Sequence, residues 1–161
     1  VRMSMAHLTA RFSANRSIRE YTERFYLLAA ENYVKRKQQA LNSGFDLACR
    51  CKQLKESWKD VCFTDLQVAS GDGQHHFRTQ VNLASLSPEN VAVQLYAETN
   101  NEPAEIYLLS LYTRQKENAN IWEYFITIPA NRNAADYTPR VVPSDPNLAI
   151  PLECNLICWQ R

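Results

Sequence analysis

Two neighbouring histidines and five cysteines are residues of the types that hold zinc ions in proteins. His75 and His76 follow the turn residues SGDGQ, and neighbouring residues on a strand point to opposite faces. A hairpin turn in which Gly71 and Gly73 adopt positive φ explains this stretch better than a metal site does. We therefore expect both histidines to lie at an exposed turn.

The cysteines make an odd count without the spacing of a disulfide framework. Zinc sites favour C-x₂₋₄-C pairs supported by a second pair or by histidines. Cys154 and Cys158 stand alone in an apolar segment, and Cys49 and Cys51 are separated by a single residue. We expect reduced, mostly buried thiols and no metal site.

Three aromatic residues, Trp122, Tyr124 and Trp159, are the candidates for contact with a sugar. A sugar ring can stack on the apolar face of an aromatic ring, so these residues would form a platform if they shared an exposed face. Aromatic residues at alternating positions of a strand more often belong to the core. Both alternatives stay open at this point.

Motifs of nucleotide or nucleophilic chemistry are missing from the sequence. Gly44, Gly71 and Gly73 are the only glycines, so neither a phosphate-binding loop nor a dinucleotide fingerprint is present. The G-x-S-x-G turn of serine hydrolases is missing as well. We predict no catalytic residue and no cofactor-binding residue in this chain.

The elements that position these residues fall into two regions, and residues 1–60 have the helical period. Ser13 or Asn15 can cap a helix start. A second helix follows a break at Asn42, Ser43 and Gly44. The first helix carries an apolar stripe, which by its spacing alone is best explained as a core face, and its members are Ile18, Tyr21, Phe25 and Leu28. A second stripe consists of Leu47, Cys51, Leu54, Trp58 and Val61.

Residues 61–161 have the period of two that is typical of strands. Seven segments rich in β-branched and aromatic residues are separated by turn clusters such as SGDGQ, SPEN, TNNEP and KENAN. This spacing predicts an immunoglobulin-like antiparallel β-sandwich of about seven strands. The predicted class is α+β, with two helices in residues 1–60 and the sandwich in residues 61–161.

The two regions carry opposite net charge. Residues 1–60 hold twelve Lys and Arg against six Asp and Glu, and residues 61–161 hold six against eleven. The basic residues alternate with acidic ones and lack a groove-reading or stacking motif, so we expect no nucleic-acid partner. No apolar run is long enough to span a membrane, and the N-terminal residues lack the apolar region of a signal peptide, so we expect a cytoplasmic protein without a membrane partner.

The opening stretch VRMSMAHLTARFSANRSIREYTERFY resembles the C-terminal end of the catalytic region of glycogen, starch and α-glucan phosphorylases. REYTERFY is similar to the bacterial α-glucan branch of that family. The segments WKDV, LASLSPENVAVQLY and YTPRVVPSDPNLAIPLECNLICW resemble a helical connector and a β-rich extension found in this branch. The positions that match the broad family pattern are Phe12, Ser13, Asn15, Arg16, Ile18 and Tyr21.

The resemblance implies a parent enzyme that uses phosphate and pyridoxal phosphate to release glucose 1-phosphate from α-1,4-glucans. The two catalytic lobes of the family precede the region that matches Val1, and no lysine of this chain stands in the context of the cofactor lysine. The chain alone is therefore predicted to be inactive. Its implied partners are an α-glucan and the catalytic lobes, against which the stripe of Ile18, Tyr21, Phe25 and Leu28 would pack. Without the lobes, the stripe would fold back on the sandwich, pair with a second copy of the chain, or fray. Its implied roles are lobe clamping, assembly or glucan holding. The alternative is a stand-alone carbohydrate-binding or protein-interaction module.

Overall fold

A computed structural model of the protein describes residues 2–38, 43–99, 104–114, 120–145, 148, 150–151 and 153–161. Contacts between Cα atoms divide the chain into two compact units, residues 1–48 and residues 49–161. We call them the helical unit and the β-rich unit. The division falls within a helix, whereas the predicted boundary after residue 60 lies where the last helical turn, Trp58–Asp60, gives way to the first strand.

The helical unit contains α1 (Arg2–Arg11), α2 (Ala14–Tyr21) and α3 (Leu27–Gln38), and a π-helical turn, Thr22–Tyr26, joins the last two without a break. Ser13 caps α2, because its Oγ accepts a hydrogen bond from the N–H of Arg16 at 3.3 Å. Helix α1 is one helix more than the sequence predicted. Among the described residues, no helix is both long enough and apolar enough to cross a membrane.

Helix α4 (Ser43–Ser57) continues into the 3₁₀ turn Trp58–Asp60. The predicted break lies partly outside the described residues, and Ser43 and Gly44 belong to α4. Leu54, Trp58 and Val61 are buried in the β-rich unit, so this part of the second predicted stripe is a core face.

The described residues of the β-rich unit form eight strands: β1 (Cys62–Gly71), β2 (Gln74–Asn82), β3 (Val91–Ala97), β4 (Glu105–Leu108), β5 (Ser110–Arg114), β6 (Ile121–Pro129), β7 (Thr138–Pro143) and β8 (Cys158–Trp159). They form two four-stranded antiparallel sheets with the strand orders β1–β2–β6–β5 and β4–β3–β7–β8. These are the A-B-E-D and C-F-G orders of an immunoglobulin domain, with β4 added beside the third strand. The predicted fold class is confirmed, with eight described strands instead of about seven.

The additional strand arises because one predicted segment, residues 105–114, crosses from one sheet to the other. Its first part, β4, pairs with β3, and its second part, β5, pairs with β6. Leu109 lies between them, is buried, and donates its N–H to the carbonyl of Val93 at 2.9 Å. The core between the sheets is formed by the inward residues of both, including Phe77, Val81, Leu95, Ile128 and Val141.

Candidate functional site

The apolar stripe of the helical unit, which consists of Ile18, Tyr21, Phe25 and Leu28, is exposed. The four side chains are between 43% and 63% exposed. The rings of Tyr21 and Phe25 are neighbours, with centroids 5.9 Å apart. Contiguous large apolar side chains at the surface mark an interaction surface more often than isolated ones do. The contact of this stripe with another domain stays a prediction.

The three aromatic candidates do not share a face. Trp122 and Tyr124 lie on the inner side of β6, and Tyr124 is only 4% exposed. Trp159 lies on β8 of the other sheet and is 38% exposed. A platform formed by all three residues is therefore ruled out, because Tyr124 is a core residue. Trp122 is half-buried, and the guanidinium carbon of Arg114 lies 5.2 Å from its ring centroid.

Burial of Tyr124 also affects its hydroxyl. Its Oη is buried and has no hydrogen-bond partner among the described residues. Because burial disfavours the charged phenolate, it raises the pKa of Tyr124 to about 12.

Trp159 belongs to an ordered cluster on the outer face of the second sheet. Arg140, its partner in register on β7, places its guanidinium carbon 5.4 Å from the Trp159 ring centroid and 4.4 Å from that of Tyr96. The rings of Tyr96 and Trp159 meet edge to face at 5.4 Å. Arg140 Nε donates a hydrogen bond to Gln94 Oε1 at 3.0 Å, which fixes the guanidinium plane. Burial lowers the pKa of Arg140 from its usual value.

Trp159 also lines a cleft of about 520 Å³ in the β-rich unit, which we call the tryptophan cleft. Its walls come from the 3₁₀ turn Trp58–Asp60, from the start of β1 and from β8. Trp58 is 8% exposed, and its Nε1 has no hydrogen-bond partner among the described residues. Lys59 and Arg161 contribute cationic side chains to the lining.

Reasoning from the sequence missed Tyr96, Arg140 and Trp58 as members of this region. Tyr96 and Arg140 occupy outward positions of β3 and β7, and the residues on either side of them along each strand are buried. This alternation could have placed both side chains on the outer face of the sheet. Trp58 was assigned to a core stripe, and its proximity to Trp159 depends on long-range pairing of β8.

The histidine pair lies at the predicted turn, but only one member is exposed. Gly71 pairs with Gln74 across the two-residue turn Asp72–Gly73, whose φ angles are 51° and 72°, as in a type I′ turn. His76 is exposed, whereas His75 is buried, which corrects the expectation that both are exposed.

The hydrogen bonds of His75 explain its burial. Its Nε2 lies 2.9 Å from the carbonyl oxygen of Arg132, which can only accept, so Nε2 donates. In the neutral ring Nδ1 then accepts from Ser70 Oγ at 2.7 Å. His75, on β2, thereby connects the edge strand β1 to the loop after β6.

An electrostatic cluster joins that loop to β4. Glu105 accepts a hydrogen bond from the hydroxyl of Tyr137 at 3.0 Å and pairs with Arg132 Nη1 at 3.3 Å. Arg132 Nε also pairs with Asp136 Oδ2 at 3.4 Å. Burial, followed by the Glu105 hydrogen bond and charge, raises the pKa of Tyr137 to about 12. These contacts stabilise the fold and leave Glu105 saturated with partners.

The five cysteines are free thiols. Cys154 is buried and Cys62 is exposed, while the other three are half-buried, so the expectation of mostly buried thiols is corrected. Cys158 Sγ donates to the carbonyl of Val61 at 3.3 Å. Among the residues that the structure describes, no group of three or more His, Cys, Asp or Glu side chains could hold a metal ion.

The lysines do not fit the covalent attachment of pyridoxal phosphate. The five lysines in the described ranges, which are 35, 37, 52, 55 and 59, are all exposed. A Schiff-base lysine acts from a desolvated pocket that lowers its pKa. None of the described lysines has the desolvated surroundings that such a bond requires.

The β-rich unit is an immunoglobulin-like β-sandwich that follows a helical segment in the sequence. Residues 58–161 match the family model described as the glycogen phosphorylase C-terminal domain, and the chain belongs to this family.

A curated relative is the maltodextrin phosphorylase of Thermococcus litoralis, to which the chain is 27% identical over 164 residues. The match covers 98% of this chain and 19% of the relative, so the chain spans about a fifth of the relative's length. No solved structure matched the chain. The resemblance to a phosphorylase C-terminal portion is thus confirmed.

Proposed function

We propose that the chain is the non-catalytic C-terminal part of an α-glucan phosphorylase and that its apolar stripe docks onto the catalytic body of that enzyme. The parent enzyme would release glucose 1-phosphate from α-1,4-glucans with inorganic phosphate, and pyridoxal phosphate bound in the body would supply the phosphate group for proton transfer. The proposal includes a cytoplasmic location.

The observation that carries this proposal is the exposure of the stripe. Fully burying a large apolar side chain contributes about 1.5 to 3 kcal/mol, so four half-exposed residues offer several kcal/mol to a partner that covers them. The match to the relative supports a large partner, because about four-fifths of the relative lies outside the match. A helix that clamps the lobes of such a body would use a stripe of this kind.

The chain contributes a surface and no reacting group in this role. The described lysines are exposed, and the carboxylate of Glu105 is held by Tyr137 and Arg132. Binding of phosphate, cofactor and the scissile bond would belong to the catalytic body.

Two measurements test the proposal. The isolated chain, supplied with pyridoxal phosphate, phosphate and maltodextrin, should release no glucose 1-phosphate, and measurable turnover would contradict the proposal. The coding sequence upstream of Val1 should encode a phosphorylase body.

A variant then tests the docking surface in the complete polypeptide. Phe25→Glu should lower the melting temperature of the catalytic body, because a charge would be buried at the contact. Tyr33→Glu is the matched control, since Tyr33 is also an exposed aromatic residue, on α3, but lies outside the stripe. Equal effects of both changes would contradict docking through the stripe. Absence of an upstream body would favour the stand-alone module.

A further inference from the structure

We propose that the tryptophan cleft binds glucosyl residues of an α-1,4-glucan, with the indole ring of Trp159 as the stacking surface. The inference rests on the proposed function, because the parent reaction supplies this class of ligand. It assigns to the β-rich unit a glucan contact separate from any catalytic cleft.

The size of the cleft fits a short glucan segment. Small-molecule sites have volumes of about 300 to 1,000 Å³, and the tryptophan cleft has about 520 Å³. Its lining combines apolar side chains, namely Val61, Phe63 and Ile157 beside the two tryptophans, with polar atoms that supply somewhat more of the exposed surface. This combination of apolar and polar groups suits a ring with C–H faces and hydroxyl edges.

The Trp159 ring is held in place before any ligand binds. Tyr96 contacts its edge and Arg140 lies against it, while Gln94 fixes Arg140. A fixed aromatic ring loses little conformational entropy when a ligand stacks on it. The same ring remains 38% exposed, so a ligand can reach it.

Trp58 gives a second, independent indication of a polar ligand. A buried indole N–H normally has a hydrogen-bond acceptor. The Nε1 of Trp58 lacks one among the described residues, although Trp58 is more than nine-tenths buried in the cleft wall. A small movement of the wall that exposed this N–H to the cleft would let a ligand hydroxyl accept the missing hydrogen bond.

The charges of the lining restrict the ligand class. Lys59 and Arg161 are the charged residues among the described lining, and no carboxylate is among them. Ammonium and guanidinium groups donate hydrogen bonds to oxygen, so the cleft favours hydroxyl-rich ligands over cations. Glucose 1-phosphate also carries a glucosyl ring with oxygen acceptors. The exposed indole of Trp159 suits stacking against a chain of glucosyl rings, which favours the glucan, and the experiment separates the two.

Calorimetric titration of the full chain with maltoheptaose tests the proposal, with glucose 1-phosphate and a β-1,4-linked oligosaccharide as the comparison ligands. Wild type should bind maltoheptaose more tightly than either. Trp159→Ala should weaken maltoheptaose binding by about tenfold, because truncation of a central aromatic contact typically costs more than 1 kcal/mol. Trp159→Phe, which keeps a ring and the fold, should weaken it less.

Tyr112→Ala is the matched control. Tyr112 is also an exposed strand aromatic beside an arginine, with Arg78 4.9 Å from its ring centroid, but it lies on the other sheet outside the cleft. It should leave binding unchanged. No binding by wild type, equal losses from Trp159→Ala and Tyr112→Ala, or tighter binding of glucose 1-phosphate would each overturn the inference. None of these outcomes would alter the docking result for Phe25→Glu, so the two proposals fail separately.

Discussion

The change Tyr124→Phe should stabilise the β-rich unit at pH 8 and should stabilise it further at pH 11. The hydroxyl of Tyr124 is buried without a partner among the described residues. An unsatisfied buried polar group costs about 1 to 3 kcal/mol, and phenylalanine fills the same space. We expect a gain of about 1 kcal/mol at pH 8.

The pH dependence follows from the raised pKa. The pKa of Tyr124 rises from 10 in the unfolded chain to about 12 in the folded protein. Because the phenolate forms more easily in the unfolded chain, ionisation of Tyr124 favours unfolding. This effect is absent below pH 10, and the free energy of unfolding falls as the pH rises from 10 toward 12. One pKa unit corresponds to about 1.4 kcal/mol, so wild type should lose that amount through Tyr124 between pH 8 and pH 11. The phenylalanine variant cannot lose it, and the gap should widen accordingly.

Urea unfolding followed by tryptophan fluorescence measures this effect, because all three tryptophans lie in the β-rich unit. Tyr137→Phe is the control with an equally raised pKa but a satisfied hydroxyl, which donates to Glu105 at 3.0 Å. Its loss should destabilise the protein by about 1 to 2 kcal/mol at pH 8. A destabilising Tyr124→Phe at pH 8, or a gap that stays constant up to pH 11, would refute the reasoning.

Two further predictions concern the helical unit and the first hairpin. In sedimentation at high concentration, Phe25→Glu should reduce self-association of the isolated chain, whereas Tyr33→Glu should leave it unchanged; a strictly monomeric wild type would contradict assembly through the stripe. Gly73→Ala should lower the free energy of unfolding by about 1 kcal/mol, because φ is +72° there. Gly71→Ala should have a smaller effect, since an added Cβ meets nothing within 4 Å and the φ of Gly71 is not positive. Equal effects of the two alanines in urea unfolding would show that the turn geometry is not the cause.

The sequence predicted the two kinds of secondary structure well because their signals are local. Apolar steps of three and four predicted the continuous α2–α3 helix and α4 but not α1, and the two-residue period predicted the strand segments. The hairpin turn was also predicted correctly, and Gly73 has the expected positive φ; the prediction of positive φ at Gly71 was wrong, because Asp72 takes that conformation instead.

The sequence could not predict which sheet each strand joins. Residues 105–114 form one strand-like segment without a turn signal, yet Leu109 marks a crossing between the sheets. Alternation describes the two faces of a strand and contains no information about the neighbouring strand. The π-helical turn at Thr22–Tyr26 likewise has no distinct local signal.

The candidate glucan site shows the same division. Sequence alone determined that Trp122 and Tyr124 share one face of a strand and that Trp159 is an aromatic residue of the last strand segment. Tertiary structure decided that the first two face the core, while the pairing of β8 with β7 sets Trp159 beside Arg140 and the fold brings it to the cleft that Trp58 lines. Burial and proximity depend on strand pairing between residues far apart in the sequence. The local sequence therefore could not identify the candidate binding surface, and the tertiary structure did.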